Sequence, residues 1–260
     1  MRKKKKRCIV QMQITFLGTG DMFSFEQDHN SAMILYNDTR LIIDFPESNA
    51  KVLHHMGIKL NEIKDVFITH LHDDHINGLQ QLGYYAQVFG NQKPKLYIHE
   101  ELIEPLWRSL EPGMRYTVQG ERVFEDYFEL IQLREQKPFS IGGVTYELTL
   151  TKHVPGMLSC GLYAPGYFYY SGDATMDSEL LEHIADEVQV IFYECHLQDV
   201  TISSHTHLDD IKSLPLPIQA KIQLMHYHDG YASSDAREQF NQSAVSKLVQ
   251  PLEVIRLHEQ

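Results

Sequence analysis

Thr69–Leu79 reads THLHDDHINGL and follows directly on the apolar run VFI. The six positions from His70 to His75 hold three histidines and two aspartates in the pattern H-x-H-x-D-H, with Asp73 as the odd carboxylate. Imidazoles and carboxylates are the ligands zinc takes at about 2.0–2.2 Å, and the two metals of a hydrolytic pair sit roughly 3.5–4 Å apart. If the apolar run is a strand that turns tightly into a helix, His70 and His72 point to one metal. Asp74 and His75 then point to its neighbour, and Asp73 faces away. A solvated loop with accidental histidines is the competing reading, and the specific spacing after an apolar run speaks against it.

Two metals need more ligands than this segment holds, so the rest of the chain has to supply them. TLTKHVPG closes a strand-like run at His153, YYSGDAT closes one at Asp173, and IQLMHYHDG closes one at His226. Carboxyl ends of strands are where α/β folds place functional groups. Of the 15 histidines, His70, His72, His75, His153, His205 and His226 fall at or just beyond such runs. His54, His55, His99, His183 and His258 lie in helix-like or terminal stretches and are expected to carry no chemistry.

Working outward, strand-like runs recur along the whole chain: QITFLG, SAMILY, RLIIDF, DVFIT, KLYIH, YFELIQL, VTYELTLTKH, SCGLYA, YFYYSGD, VQVIFYE and KIQLMHY. Helix-like periodicity covers residues 48–56, 76–88, 100–110, 177–186, 208–214 and 232–249. Early strands follow one another through short turns such as YNDTR, whereas later ones alternate with helices. Two mixed sheets packed face to face, with helices on both outer faces, account for that order. No repeat or linker divides the chain, so a single domain over residues 13–260 is expected. Residues 1–12, with the block RKKKKR at Arg2–Arg7, read as a basic leader.

Composition narrows the partners. The net charge of −12 is opposite to the basic face that grips long nucleic acid. No apolar run reaches the roughly 20 residues of a membrane span, and no secretory signal is evident. Cys8, Cys160 and Cys195 form no pair with metal or redox spacing. A cytoplasmic protein is expected, in the host cytoplasm if the gene is a phage gene.

From QITFLGTGD to the last strand the chain resembles the metallo-β-lactamase fold superfamily. The resemblance implies an α/β fold, a four-layer αββα sandwich, with a dizinc site between the sheets. It places His70, His72 and His153 on one zinc, Asp74, His75 and His226 on the other, and Asp173 as the bridge. His228 competes for the last position; His226 is preferred because it directly ends its apolar run. Asp44 in LIIDFP matches the structural aspartate that braces the metal loop.

Within the superfamily, ITFLGTGD and SSHTHLDDI are similar to the branch of the tRNA 3′-processing ribonucleases. There a histidine contacts the scissile phosphate and protonates the leaving oxygen, which implies His205 here, with His207 as the alternative. Those enzymes carry a long substrate-gripping arm between the third histidine and the bridging aspartate. From His153 to Asp173 is only 20 positions, already filled by two strand-like runs, so no arm fits. With the acidic charge, this favours a small phosphodiester over a large RNA.

The chain thus resembles the phage anti-Pycsar proteins and their bacterial relatives. That resemblance implies hydrolysis of 3′,5′-cyclic mononucleotides to nucleoside monophosphates, in evasion of cyclic-nucleotide antiphage signalling. It also implies two Zn2+ ions, with Mn2+ as the alternative, Asp74 and His205 as catalytic residues, a homodimer, no stable nucleic acid complex and no membrane. A tRNA 3′-processing-type endoribonuclease and a nucleotide-sequestering protein without turnover are the alternatives. Phe23 and Phe25, or Arg115 and Tyr116, are the candidates to contact a base.

Overall fold

Along the first strand Met12, Ile14 and Phe16 are buried in one core, while the alternate residues Gln11 and Gln13 at its start remain partly exposed. This period of two makes a half-buried strand. The computed structural model describes residues 11–90, 92–200 and 202–259; the basic block Arg2–Arg7 and Cys8 lie outside the described residues. In chain order the strands of the first half are β1 Gln11–Gly18, β2 Ser31–Tyr36, β3 Thr39–Ile43, β4 Asp65–Phe67, β5 Lys95–His99, the small hairpin β6 Tyr116–Thr117 and β7 Gly120–Glu121, and β8 Glu129–Leu133. The second half supplies β9 Phe139–Ile141, β10 Val144–Thr151, β11 Ser159–Ala164, β12 Phe168–Tyr170, β13 Val190–Glu194, β14 Ile222–Met225, β15 Lys247–Leu248 and β16 Val254–His258.

Two seven-stranded sheets result, ordered β16-β1-β2-β3-β4-β5-β8 and β15-β14-β13-β12-β11-β10-β9. Each is antiparallel in one half and parallel in the other: β3, β4, β5 and β8 run parallel in the first sheet, and β12, β13, β14 and β15 in the second. The helices are α1 Ser48–His55, α2 Asp73–Ile76, α3 Leu79–Phe89, α4 Ile103–Met114, α5 Phe124–Tyr127, α6 Ser178–Ile184, α7 Leu208–Ser213, α8 Leu216–Gln219 and α9 Ser234–Ser243. The structure is the expected α/β arrangement of packed sheets flanked by helices.

The layers follow from alternation along the strands. Phe16, Ile34, Ile43 and Phe67 pack with Leu148, Leu162 and Phe192 of the second sheet, and the Phe16 and Phe192 rings meet edge-on at 5.1 Å. Their neighbours Ile42, Val66, Ile68 and Leu96 turn the other way, onto Leu53, Leu79, Leu82 and Leu106 of the helical layer. Inner strands of the parallel halves, such as β4 and β13, are buried on both faces, which is why runs such as DVFI read as continuous apolar stretches.

Four local features differ from the sequence expectation. The periodic segment 76–88 splits into α2 and α3 at Gly78, whose N–H donates to Phe45 O at 3.0 Å. A Cβ on Gly78 would meet Pro46 O at 2.5 Å, so a continuous helix with side chains has no room there. The segment 232–249 is helical only through Ser243; the Asn241 side chain accepts from Leu248 N at 2.8 Å and turns the chain into edge strand β15. The boundary expected between residues 12 and 13 falls inside β1, which pairs from Gln11 with the unforeseen β16. His99, expected in a helix-like stretch, instead ends β5 and is buried. Among the described residues no helix is long and apolar enough to cross a membrane.

Candidate metal centre

The chain leaves β4 after Phe67 and runs extended through His70 to His72, the N-cap of α2. On extended backbone, residues two apart share a face, so His70 and His72 project together. The helical turn that starts at Asp73 then swings Asp74 and His75 inward, while Asp73 is exposed and accepts from the Asn77 amide at 3.3 Å. His153 follows β10, Asp173 follows β12 and His226 follows β14. His226 adopts φ +57, and Asp44, just after β3, adopts φ +58. Two non-glycine residues in the left-handed region at one site mark backbone held there by its surroundings. Gly172, at φ +62, turns β12 so that Asp173 enters the site; a Cβ there would lie 2.6 Å from Cys160 O.

All seven expected side chains converge. His72 Nδ1 lies 3.0 Å from His70 Nε2 and 3.2 Å from His153 Nε2. Asp173 Oδ2 is 3.7 Å from His70 Nε2 and 3.9 Å from His153 Nε2. On the other side Asp173 Oδ1 is 3.5 Å from His75 Nε2, and Oδ2 is 3.4 Å from His226 Nε2. Asp74 Oδ2 stands 3.4 Å from His75 Nε2 and 3.5 Å from His226 Nε2. Ligands about 2.0–2.1 Å from a tetrahedral ion are about 3.3–3.4 Å apart, and the distances here, 3.0–3.9 Å, bracket that spacing.

His70, His72, His153 and Asp173 form one group that could hold a metal ion, and Asp74, His75 and His226 form another. Asp173 faces both. His75 Nε2, Asp173 Oδ1 and His226 Nε2 are buried without a hydrogen-bond partner among the described residues. Buried polar atoms in that state call for a partner, and the nitrogen and oxygen donor set suits a divalent transition ion.

The electrostatics agree. Burial pushes the imidazoles of His70, His72 and His153 below the ordinary histidine range, leaving them neutral with lone pairs available to a metal. Burial acts the same way on His75, but Asp173, Asp74 and Asp44 outweigh it and hold it well above that range. His226 is pushed up to about 9, the Asp173 and Asp74 carboxylates overcoming burial. In turn His75 and His226 keep Asp74 and Asp173 ionised against the pull of burial. Among the described residues the charged partners of Asp44, Asp74, Asp173 and Glu194 are all histidines, with no lysine or arginine. Buried carboxylates need compensating cations, and a bound metal displaces protons from such imidazoles.

Asp44 braces the loop as expected. It accepts from Thr69 N at 2.8 Å, Thr69 Oγ1 at 2.7 Å and His75 Nδ1 at 2.8 Å, which leaves His75 Nε2 directed to the centre. His153 Nδ1 likewise donates to Ser204 O at 2.7 Å. Such outer contacts orient metal-binding imidazoles.

His205 joins the cluster, within the same cleft as His72, Asp74, Asp173 and His226. Its Nδ1 donates to Glu194 Oε1 at 2.9 Å, which also accepts from Ala174 N at 3.0 Å and Thr206 N at 3.3 Å. Burial opposes the imidazolium, yet the Glu194 carboxylate raises His205 above the usual range. Sequence reasoning missed Glu194, although it ends the run VQVIFYE as Asp173 and His226 end theirs, and the same signal would have found it. The alternatives fall away: His207 caps its own helix and His228 its own turn, each accepting a nearby backbone N–H, and neither lines the cleft. Arg115 and Tyr116 stack on each other at 5.6 Å on the exposed hairpin away from the cleft. Phe23 lines the cleft mouth and Phe25 does not.

Comparison with known proteins places this geometry in context. The family model described as anti-Pycsar protein Apyc1 matches residues 12–250. An anti-Pycsar protein Apyc1 of Paenibacillus sp. (strain J14) is 35% identical over 225 residues, covering 85% of this chain and 91% of that protein. One of Bacillus phage vB_BveM-Goe7 is 34% identical over 239 residues, covering 84% and 89%. Among solved structures, the metallo-beta-lactamase fold protein YhfI from Bacillus subtilis superposes with a TM-score of 0.76 at 16% identity, covering 95% of this chain and 99% of that one. That likeness establishes the fold.

Proposed function

This chain belongs to the anti-Pycsar protein Apyc1 family, and from that premise we propose that it is a dizinc phosphodiesterase that opens 3′,5′-cyclic mononucleotides to nucleoside monophosphates. The observation that carries the reading is Asp173, a buried carboxylate within 3.4–3.9 Å of imidazoles from both ligand groups. His70, His72 and His153 would hold one ion, Asp74, His75 and His226 the other, and Asp173 both; manganese suits the same donors. When bound, a pair of divalent cations supplies Lewis-acid activation of water and neutralises charge that develops at phosphorus.

The chain's own residues account for the rest. Asp74 accepts a proton from, or orients, the attacking water. His205, with Nδ1 held by Glu194, keeps Nε2 free on the cleft side to protonate the leaving ester oxygen. One P–O ester bond breaks as one P–O bond to water forms, and the proton ends on the departing hydroxyl. Between His153 and Asp173 the chain holds only β11 and β12, with no arm for a large RNA, and the net charge is −12. A homodimer acting in the cytoplasm, without a stable nucleic acid complex, is part of the same proposal.

The test is to incubate purified, metal-loaded protein with a panel of cyclic mononucleotides and with a precursor tRNA, with and without chelator. Ring opening that stops with chelator is expected. Cleavage of the tRNA with intact cyclic nucleotides would instead make it a nuclease, and recovery of unaltered bound nucleotide would make it a sequestering protein.

A further inference from the structure

His196 follows Glu194 by two residues at the end of β13 and is only 6% exposed. Both of its ring nitrogens, Nδ1 and Nε2, are buried without a hydrogen-bond partner among the described residues. Leaving two such atoms unmatched is costly, and the His207 ring, 5.0 Å away between centroids, gives neither nitrogen a hydrogen bond. His196 lines the cleft that holds Asp173 and His205, as do Gln198, Ile202, Met22 and Phe23. Its backbone is fixed by an N–H donated to Thr206 O at 3.0 Å.

The loop that carries Phe23 is also fixed in place. Phe23 N–H donates to Asp21 Oδ1 at 3.0 Å, and Phe25 N–H donates to Asp229 Oδ2 at 2.7 Å. This pins the loop while the Phe23 side chain remains 73% exposed at the cleft mouth. A cleft lined by carboxylates and imidazoles, and also by the apolar side chains of Met22, Phe23 and Ile202 and one unmatched donor–acceptor ring, fits a phosphate ester of a planar polar group. Burial lowers His196 below the ordinary range, with His207 acting in the same direction. A neutral imidazole offers one donor and one acceptor, a match for a base edge or sugar hydroxyl rather than for a phosphate.

We propose that His196 is the substrate-binding residue that hydrogen-bonds the nucleoside moiety, with Phe23 and Met22 covering its flat face. The proposal rests on the cyclic-nucleotide reading above and adds the part of the site that selects a nucleotide over other diesters.

His196→Ala and His196→Gln are compared with the parent on cyclic mononucleotides and on methyl 4-nitrophenyl phosphate, a diester without a nucleoside. In parallel, calorimetry measures binding of nucleoside monophosphates and of inorganic phosphate to the metal-loaded proteins. Circular dichroism checks the fold. In His196→Ala the ratio of kcat/KM for nucleotide to that for the simple diester falls about tenfold, the 1.4 kcal/mol of one lost hydrogen bond. Most of the change lies in KM, and His196→Gln recovers part of it. The affinity ratio of monophosphate to phosphate falls likewise. Equal losses on both substrates, or none on either, overturn the proposal. A parent that turns over no cyclic nucleotide overturns the functional reading alone, and the calorimetric ratio then decides His196 by itself.

Discussion

Asp44 touches no substrate, yet its removal should disable the site. It is fully buried and accepts three hydrogen bonds, from Thr69 N, Thr69 Oγ1 and His75 Nδ1, at 2.7–2.8 Å. Hydrogen bonds to a charged group contribute roughly 1.5–3 kcal/mol each, and deleting one partner of a buried ion pair costs about 3–5 kcal/mol in all. Asp44→Ala adds the strain of alanine at φ +58. Against a total stability of about 5–15 kcal/mol, that variant is expected at the edge of folding.

Asp44→Asn is the sharper probe. Asparagine tolerates the left-handed backbone and keeps one oxygen for Thr69 N–H, but its amide N–H2 meets the N–H of His75 that the carboxylate used to accept. A cost of about 2–3 kcal/mol is expected, read as a lower urea midpoint at unchanged slope. Metal affinity should fall 10- to 100-fold, as it does when an outer partner of a metal-binding imidazole is lost, read by competition titration with a chromophoric chelator. A variant with the parent's urea midpoint and metal affinity would refute the claim that Asp44 orients His75.

Glu194→Gln removes the carboxylate that favours the His205 imidazolium, so the His205 pKa falls. Because the protonated form delivers the proton, the alkaline limb of the kcat profile moves to lower pH; an unshifted limb would detach Glu194 from catalysis. Asp173→Ala takes a ligand from both groups, and elemental analysis should find fewer than two ions per chain, with full occupancy counting against a bridging role. Gly172→Ala forces a Cβ to 2.6 Å from Cys160 O at φ +62, which should cost about 1–3 kcal/mol. Calorimetric unfolding measures it, and a neutral result would show that the turn before Asp173 needs no glycine.

Much of the site is legible in the sequence because four of the seven candidate ligands sit where an apolar run stops. His70, His153, Asp173 and His226 are all announced by a buried strand ending in a polar side chain, a local signal. Glu194 carries that signal too, but a lone strand-end glutamate has no partner in the sequence to give it meaning. His196 has no sequence signature, since its character comes from two ring nitrogens that the fold leaves unmatched. Helical extents at 76–88 and 232–249 are not legible in local periodicity because the interruptions are tertiary: the backbone of Phe45 and Pro46 against Gly78, and Asn241 reaching Leu248 N.

Local patterning by itself determined the α/β class, the strand ends and the chemical type of the ligands, since period, burial and side-chain chemistry act over a few residues. That Asp173 faces both candidate groups, that His205 is held by Glu194, and that His228, Arg115 and Tyr116 lie elsewhere were decided only by the tertiary structure. The strand order of the two sheets brings strand ends far apart in the chain to within 4 Å, and such distances depend on the backbone turns at Asp44, Gly172 and His226.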